Sequence, residues 1–380
     1  MLPNKAKKKR LICVNGYYSI LNAVAILRQM NNNDSFENIL LISVDKLDKD
    51  ALFHFASFFK EFNLLFITHY ERKKGGYSKI KDFLTTSFFD EIMVLFKGTY
   101  KYLLKQGVDT NSLIIYDEGQ ETYFDIARLS IYNNKISNVY LTDKTLVLKN
   151  NNTKNLIIHD INQNIIKSVL SEFPNDLILK DNSVIFLSSV HTATQGDNSY
   201  NEKDIKTIKL LISKGYNVYY KAHPRNRLKK NSELSNLIDS NNFFIIPTEK
   251  NLLIETVLFY NKDKINFILG EDSSVLYLSY KLFNIPSFSF FPNNFANNIR
   301  QIRVLKHLPK FEDFLDSNLS PTEFYEKEID SLNNNRERFD ILQAQIMYLD
   351  ISNNYLKNQN KILKILAIIL VSLVFTWILF

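Results

Sequence analysis

Continuous apolar runs alternate along this chain with longer stretches in which apolar residues return every three or four positions. RLICV (10–14), ILLIS (39–43), LLFIT (64–68), IMVLF (92–96) and LIIYD (113–117) are such runs, the pattern of strands covered on both faces. Residues 17–30, 49–62 and 98–106 carry helical spacing. This alternation predicts a parallel sheet in an α/β domain. NVYLTDKTLVLKNNNTKNLIIHD (138–160) departs from it, and its short strands between turn residues predict a small antiparallel insertion.

A second series begins after LKDNS (179–183). VIFLSS (184–189), NVYYKAHP (217–224), FFIIP (243–247), NFILG (266–270) and SFSFF (287–291) read as strands, with helical stretches at 201–214, 251–260 and 274–283. Two α/β domains therefore meet near residue 180, with strand ends facing a common cleft. The expected division is a basic tail (1–10), a first domain (11–180), a second domain (181–310), a helical extension (311–360) and an apolar tail (361–380). The stretch 310–358 is polar enough to run over the surface. A chain of 380 residues suits two domains better than one core.

Charge refines the ends more than the body. The formal charge is +7, but MLPNKAKKKR holds five basic residues and no acid, and the rest of the chain carries only +2. A balanced body argues against an extended nucleic-acid surface. The tail reads either as a solvated arm or as a weak attraction to anionic lipid, worth about 1 kcal/mol per Lys or Arg near the surface. Asn15, Gly16, Ser19 and Asn22 interrupt LICVNGYYSILNAVAIL, which argues against a signal peptide and predicts a strand, a turn and a helix. Cys13 is the single cysteine, so no internal disulfide forms, and a reducing compartment fits.

ILAIILVSLVFTWILF (365–380) has no charge and follows Lys361 and Lys364. As a helix it measures about 24 Å against a hydrocarbon core of about 30 Å. With no polar face to meet water, it is expected to be a membrane anchor, and the flanking lysines favour a cytoplasmic body.

Several chemistries lose their usual signals. The nine glycines form neither GxGxxG nor GxxxxGK[ST]. No HExxH, Cys/His cluster or GxSxG elbow occurs. Asp48-Lys49-Asp50 has the D-x-D form of some metal-dependent nucleotide-sugar enzymes, but it also stands where a helix takes its N-terminal acids.

Three short segments carry candidate chemistry, each at a predicted strand end, where open α/β sheets bind ligands. In LIIYDEGQETY, Asp117 ends a strand, Glu118 follows, and Gly119 removes a side chain beyond them. In VYYKAHPRN, Pro224 biases His223 toward extended geometry. In FILGEDSSVLYL, Ser273 and Ser274 open a helix whose free N–H groups suit an anionic phosphate. Taken singly, each has an ordinary explanation: helix-capping acids, a satisfied loop histidine, N-capping serines.

Together and in this order, the segments resemble the bacterial sialyltransferases that carry a D/E-D/E-G motif, an HP motif and a paired Ser/Thr motif. Glycosyltransferase families 38, 52 and 80 are among them. The N-terminal LICVNGYYSILNAVAIL is most similar to family 52, the lipooligosaccharide sialyltransferases. The resemblance covers residues 10–310. It implies a GT-B fold, with two Rossmann-like domains facing a central cleft. It further implies that Asp117 is the general base, supported by Glu118 and Gly119, and that His223 is the general acid. Ser273 and Ser274 would bind the donor phosphate, and Glu255 in IPTEKNLLIETVL the donor ribose, with Pro224 and Ser188 also on the donor side.

The implied reaction is inverting, metal-independent transfer of sialic acid from CMP-sialic acid to a terminal galactoside of a surface glycan, without a cofactor. The apolar tail and the basic arm, rather than the resemblance, lead to the expected location at the cytoplasmic face of the bacterial inner membrane, while the resemblance makes a homodimer an expectation. Rival readings are a polysialyltransferase of the family 38 kind, a transferase using another nucleotide sugar, and a tail-anchored nucleotide-binding scaffold without catalysis.

Overall fold

The computed structural model describes residues 7–30, 35–43, 49–68, 81–95, 97–110, 112–119, 122–123, 126, 135–147, 153–173, 175–188, 198–222, 237, 240–247, 253–270, 273–289 and 308–334. In the first half, β1 (Lys8–Val14), α1 (Tyr17–Met30), β2 (Phe36–Ser43), α2 (Lys49–Ser57) and β3 (Leu64–Thr68) alternate. They continue through α3 (Lys81–Thr86), β4 (Glu91–Val94), α4 (Lys97–Lys105), β5 (Leu113–Tyr116), β6 (Ile136–Leu141), β7 (Ile158–Asp160) and α5 (Gln163–Ser171). The seven strands form one sheet in the order β3-β2-β1-β4-β5-β6-β7. All its pairs are parallel.

The second half holds β8 (Ser183–Leu187), α6 (Asn198–Ser213), β9 (Asn217–Lys221), β10 (Phe243–Ile245), α7 (Ile254–Asn261), β11 (Ile265–Gly270), α8 (Val275–Phe283) and β12 (Ser287–Ser289). Its five strands run β10-β9-β8-β11-β12, again all parallel. The chain is thus an α/β protein with two Rossmann-like sheets, as expected. In each sheet the strand order reverses beside its first strand, which opens a crevice at the carboxyl ends.

The apolar runs explain the strands directly. Leu11, Ile12, Ile39, Leu40, Ile92, Met93 and Ile114 show no exposed surface, as strands covered by helices on both faces require. Helix α1 begins where Ser19 Oγ accepts from the N–H groups of Asn15 and Gly16, each at 3.1 Å, and satisfies two donors at the helix entry.

A short linker joins the halves. Helix α5 packs between α1 and α7. Asn261 then pins the linker, donating to Leu177 O at 2.9 Å and accepting from Leu179 N at 2.9 Å. Tyr260 Oη adds a bond to Ser171 O at 3.1 Å.

Three expectations change. Residues 138–160 form no antiparallel insertion: β6 and β7 extend the first sheet in parallel. A 3-10 turn (Lys144–Leu146) capped by Asp143 lies between them. The basic tail also ends earlier than residue 10. Arg10 lies in β1 with no exposed surface. Its guanidinium bonds Glu91 at 2.6 Å and Asn38 at 3.1 Å, and lies 3.9 Å from the Phe36 ring centroid. Finally, the extension is more than a surface element. In α9 (Phe311–Leu315) and α10 (Pro321–Asn334), Phe311, Phe314, Phe324 and Tyr325 are buried. Phe314 stacks on Phe288 of β12, with centroids 4.7 Å apart. Among the described residues no helix is long and apolar enough to cross a membrane. The apolar tail 365–380 lies outside the described residues.

Candidate functional site

Strand β5 is buried along its whole length and delivers Asp117 to the carboxyl edge of the first sheet. Asp117 is itself fully enclosed. Its Oδ1 accepts from Gly119 N at 2.7 Å, and its Oδ2 accepts from Tyr123 Oη at 2.9 Å and Thr142 N at 3.0 Å. Asn22 Nδ2 holds its carbonyl at 2.9 Å. Burial pushes the carboxyl above the ordinary aspartate range, and these donors pull against that rise.

Glu118 faces differently. It is half-buried, and its Oε2 accepts from Asn15 Nδ2 at 2.9 Å, in the turn after β1. The two adjacent acids therefore have different settings, one enclosed and one at the rim. Gly119 has φ +131°, a conformation closed to most L residues. A Cβ built there would lie 3.4 Å from Cβ and Oγ of Ser274. That contact brings the acid motif of one sheet against the serine pair of the other.

Ser273 and Ser274 stand just before α8. Ser274 occupies the N-cap position but makes no capping hydrogen bond with its side chain. Ser273 Oγ accepts only a long bond, 3.4 Å, from Val275 N. The simple capping explanation therefore accounts for little of this pair, and a helix N-terminus with hydroxyls suits an anion. The αL residue Asn284, at φ 60°, closes the other end of the helix.

In the second half, Glu255 lies in the first turn of α7 and is 4% exposed. Burial pushes its carboxyl up to about 7, with Lys221 opposing the rise. Its Oε2 is buried without a hydrogen-bond partner among the described residues. Lys221, the last residue of β9, is held below the ordinary lysine range by the same burial. Ser188 follows β8, and its N–H donates to Lys221 O at 3.0 Å. Ser188, Lys221 and Glu255 thus share one neighbourhood.

His223 and Pro224 lie outside the described residues, two and three positions beyond Lys221. Asp48 of the D-x-D segment also lies outside them, and Asp50 is in the first turn of α2. Among the described residues no group of three or more His, Cys, Asp or Glu side chains is placed to hold a metal ion.

Four contributors carried no sequence signal of their own. Tyr123 and Thr142 hold Asp117. Tyr277 of α8 sets its ring edge-on to Tyr123, with centroids 6.0 Å apart. Lys281 of the same helix reaches Asp143 at 3.0 Å.

A protein-family model described as alpha-2,8-polysialyltransferase (POLYST) matches residues 10–291. No curated protein sequence matches significantly. Among solved structures, one described as a UDP-N-acetylglucosamine 2-epimerase from Listeria monocytogenes is 12% identical. It aligns over 89% of this chain and 91% of its own, with a TM-score of 0.55. The S. aureus MnaA structure with UDP is 10% identical, over 85% and 90%, with a TM-score of 0.54. A sialyltransferase from Photobacterium damsela is 10% identical, over 79% and 78%, with a TM-score of 0.45. At these identities the first two likenesses establish the two-Rossmann GT-B-like fold and no activity.

Proposed function

The chain belongs to the alpha-2,8-polysialyltransferase family, and on that premise we propose that it lengthens a sialic acid chain through repeated transfer from CMP-sialic acid. It is a glycosyltransferase of the sialyltransferase kind. The observation that carries the finer reading is the extent of the family match, residues 10–291, which spans every candidate motif. The family in question is the polysialyltransferases, the family 38 kind, rather than the lipooligosaccharide enzymes of family 52. A sialic-acid-terminated glycan accordingly replaces the terminal galactoside as the acceptor.

In this reading Asp117 takes the proton of the acceptor hydroxyl as that oxygen attacks the anomeric carbon. The bond to the CMP phosphate oxygen breaks on the opposite face, and the configuration inverts. Burial suits Asp117 to the task, because a base with a raised pKa accepts a proton more readily near neutral pH. The departing phosphate meets Ser273, Ser274 and the N–H groups opening α8, and His223 supplies its proton. A nucleoside monophosphate carries less charge than a diphosphate, so hydroxyls and a helix terminus offset much of it without a metal. Glu255 receives the ribose hydroxyls. The apolar tail 365–380 holds the enzyme to the cytoplasmic face of the inner membrane, beside a lipid-linked acceptor.

The test supplies the full chain with CMP-sialic acid, a short oligosialic primer and a chelator, and follows CMP release with product mass. A ladder of products spaced by one sialic acid supports the reading. One addition, made to a galactoside and not to the primer, returns the chain to the single-transfer reading. CMP binding without release with either acceptor defeats catalysis altogether.

A further inference from the structure

Helix α8 supplies the serine pair at its start, but two residues further along it touch the other sheet. Tyr277 and Lys281 are one turn apart, so they project from the same face. Tyr277 meets the ring of Tyr123, and Lys281 Nζ lies 3.0 Å from Asp143 Oδ1 and 3.9 Å from Asp160 Oδ1. Asp143 N donates to Tyr123 Oη at 3.0 Å, and Tyr123 Oη donates onward to Asp117 Oδ2 at 2.9 Å. The neighbouring Thr142 N donates to the same Oδ2 at 3.0 Å. Every step from Lys281 to Asp117 is a hydrogen bond or ion pair.

We propose that Lys281 is a positioning residue for the acid motif: through Asp143 and Tyr123 it sets the carboxylate of Asp117 from the donor-side domain. The inference rests on the sialyltransferase reading for its kinetic consequence and on geometry alone for the coupling. The lysine and Asp143 side chains are 23% and 19% exposed, so solvent screens their attraction less than at an open surface. Seven of the nine residues of α8 are buried, which makes the helix a stiff arm rather than a mobile strap. One stiff element then aligns the phosphate site at its tip and the base beside its shaft. The base is correctly held only when the donor-side domain is docked.

Charge placement supports the arrangement. Lys144 Nζ already lies 3.5 Å from Asp160, so Asp143 is the carboxylate for which Lys281 is the cation close at hand. Asp143 also accepts from Thr145 N at 2.9 Å, which fixes the turn that presents the Thr142 and Asp143 N–H groups.

The experiment compares Lys281→Met, Lys281→Arg and Asp143→Asn with the wild type. Two readouts are used, steady-state kinetics and a double-mutant cycle of Lys281→Met with Asp117→Asn in urea unfolding. Lys281→Met is expected to lower kcat about tenfold while the donor KM stays within about twofold, since a small misplacement of a base acts on the chemical step. Asp143→Asn should reproduce that loss, and Lys281→Arg should retain most of the activity. The cycle should be non-additive by about fivefold in the unfolding constant, although the two side chains act through intermediates.

Unchanged kcat with an additive cycle overturns the proposal, as does a raised donor KM at constant kcat. A wild type that turns over no CMP-sialic acid but shows the non-additive cycle defeats the functional reading and leaves the positioning role standing. A wild type that makes the ladder while its cycle is additive does the reverse.

Discussion

Gly119 and Ser274 belong to different sheets, yet a single methyl group on the glycine would touch both Cβ and Oγ of the serine at 3.4 Å. The contact is where the acid motif meets the serine pair, at a residue without a side chain. Gly119→Ala adds that methyl at φ +131°. The backbone strain costs about 1–3 kcal/mol, while the methyl meets Ser274 at ordinary van der Waals distance. The expected outcome is a lower urea midpoint with CMP release reduced more than tenfold, a magnitude of about 1.4 kcal/mol or more on the transition state. Wild-type stability and turnover in Gly119→Ala would show that the two motifs are not held together in the working enzyme.

Asp117 and Glu118 are adjacent carboxylates with separate environments, and conservative replacements tell their roles apart. Asp117→Asn keeps the shape and removes the base, so kcat should fall by about two to four decades while CMP still binds. Glu118→Gln keeps the bond partner of Asn15 and should cost far less in kcat. Because burial raises the Asp117 carboxyl, the acid limb of the kcat/KM profile should lie above the usual aspartate value of about 3.9. The measurement is a kinetic pH series on all three proteins. Should Glu118→Gln be the inactive one, the base is at the cleft rim and Asp117 is its support.

Much of this architecture was legible because strands buried on both faces write themselves as uninterrupted apolar runs. LLFIT became β3 over the same residues, and the spacing of 17–30 became α1 with the same bounds. Where turn chemistry interrupted the pattern, composition misled: 138–160 looked like a small antiparallel insertion because a capped 3-10 turn lies between two parallel strands. Arg10 looked like tail because charge rarely marks a strand, and only the structure brings Glu91, Asn38 and Phe36 around it. At the site, Asp117 and the serine pair could be picked out because strand ends are local features, and Glu255 only through the family resemblance. Tyr123 and Thr142 could not, since they meet Asp117 from separate segments, nor could Tyr277 and Lys281, whose contacts cross between sheets and leave no periodic trace. The short motifs, shared by several transferase families, did not separate them; LICVNGYYSILNAVAIL suggested family 52, whereas the family model that matches is the alpha-2,8-polysialyltransferase one.

Glu255 offers a test of the donor site that needs no turnover. Its carboxyl titrates near 7 in the folded chain against 4.5 in the absence of structure. Between those values the folded state holds a proton that the unfolded state has released. The contribution to stability is therefore full below about 4.5 and is lost as pH rises through about 7. The span is on the order of 3 kcal/mol, with desolvation as its main cause. Glu255→Gln removes the titration, so its melting temperature should vary less with pH across this window. Ribose hydroxyls donate to the ionised form, so CMP binding should expel the proton and tighten as pH rises through the same range. Calorimetry at three pH values, in buffers of different ionisation enthalpy, reads both the affinity and the released proton. A wild-type affinity as flat with pH as that of Glu255→Gln would place the ribose elsewhere.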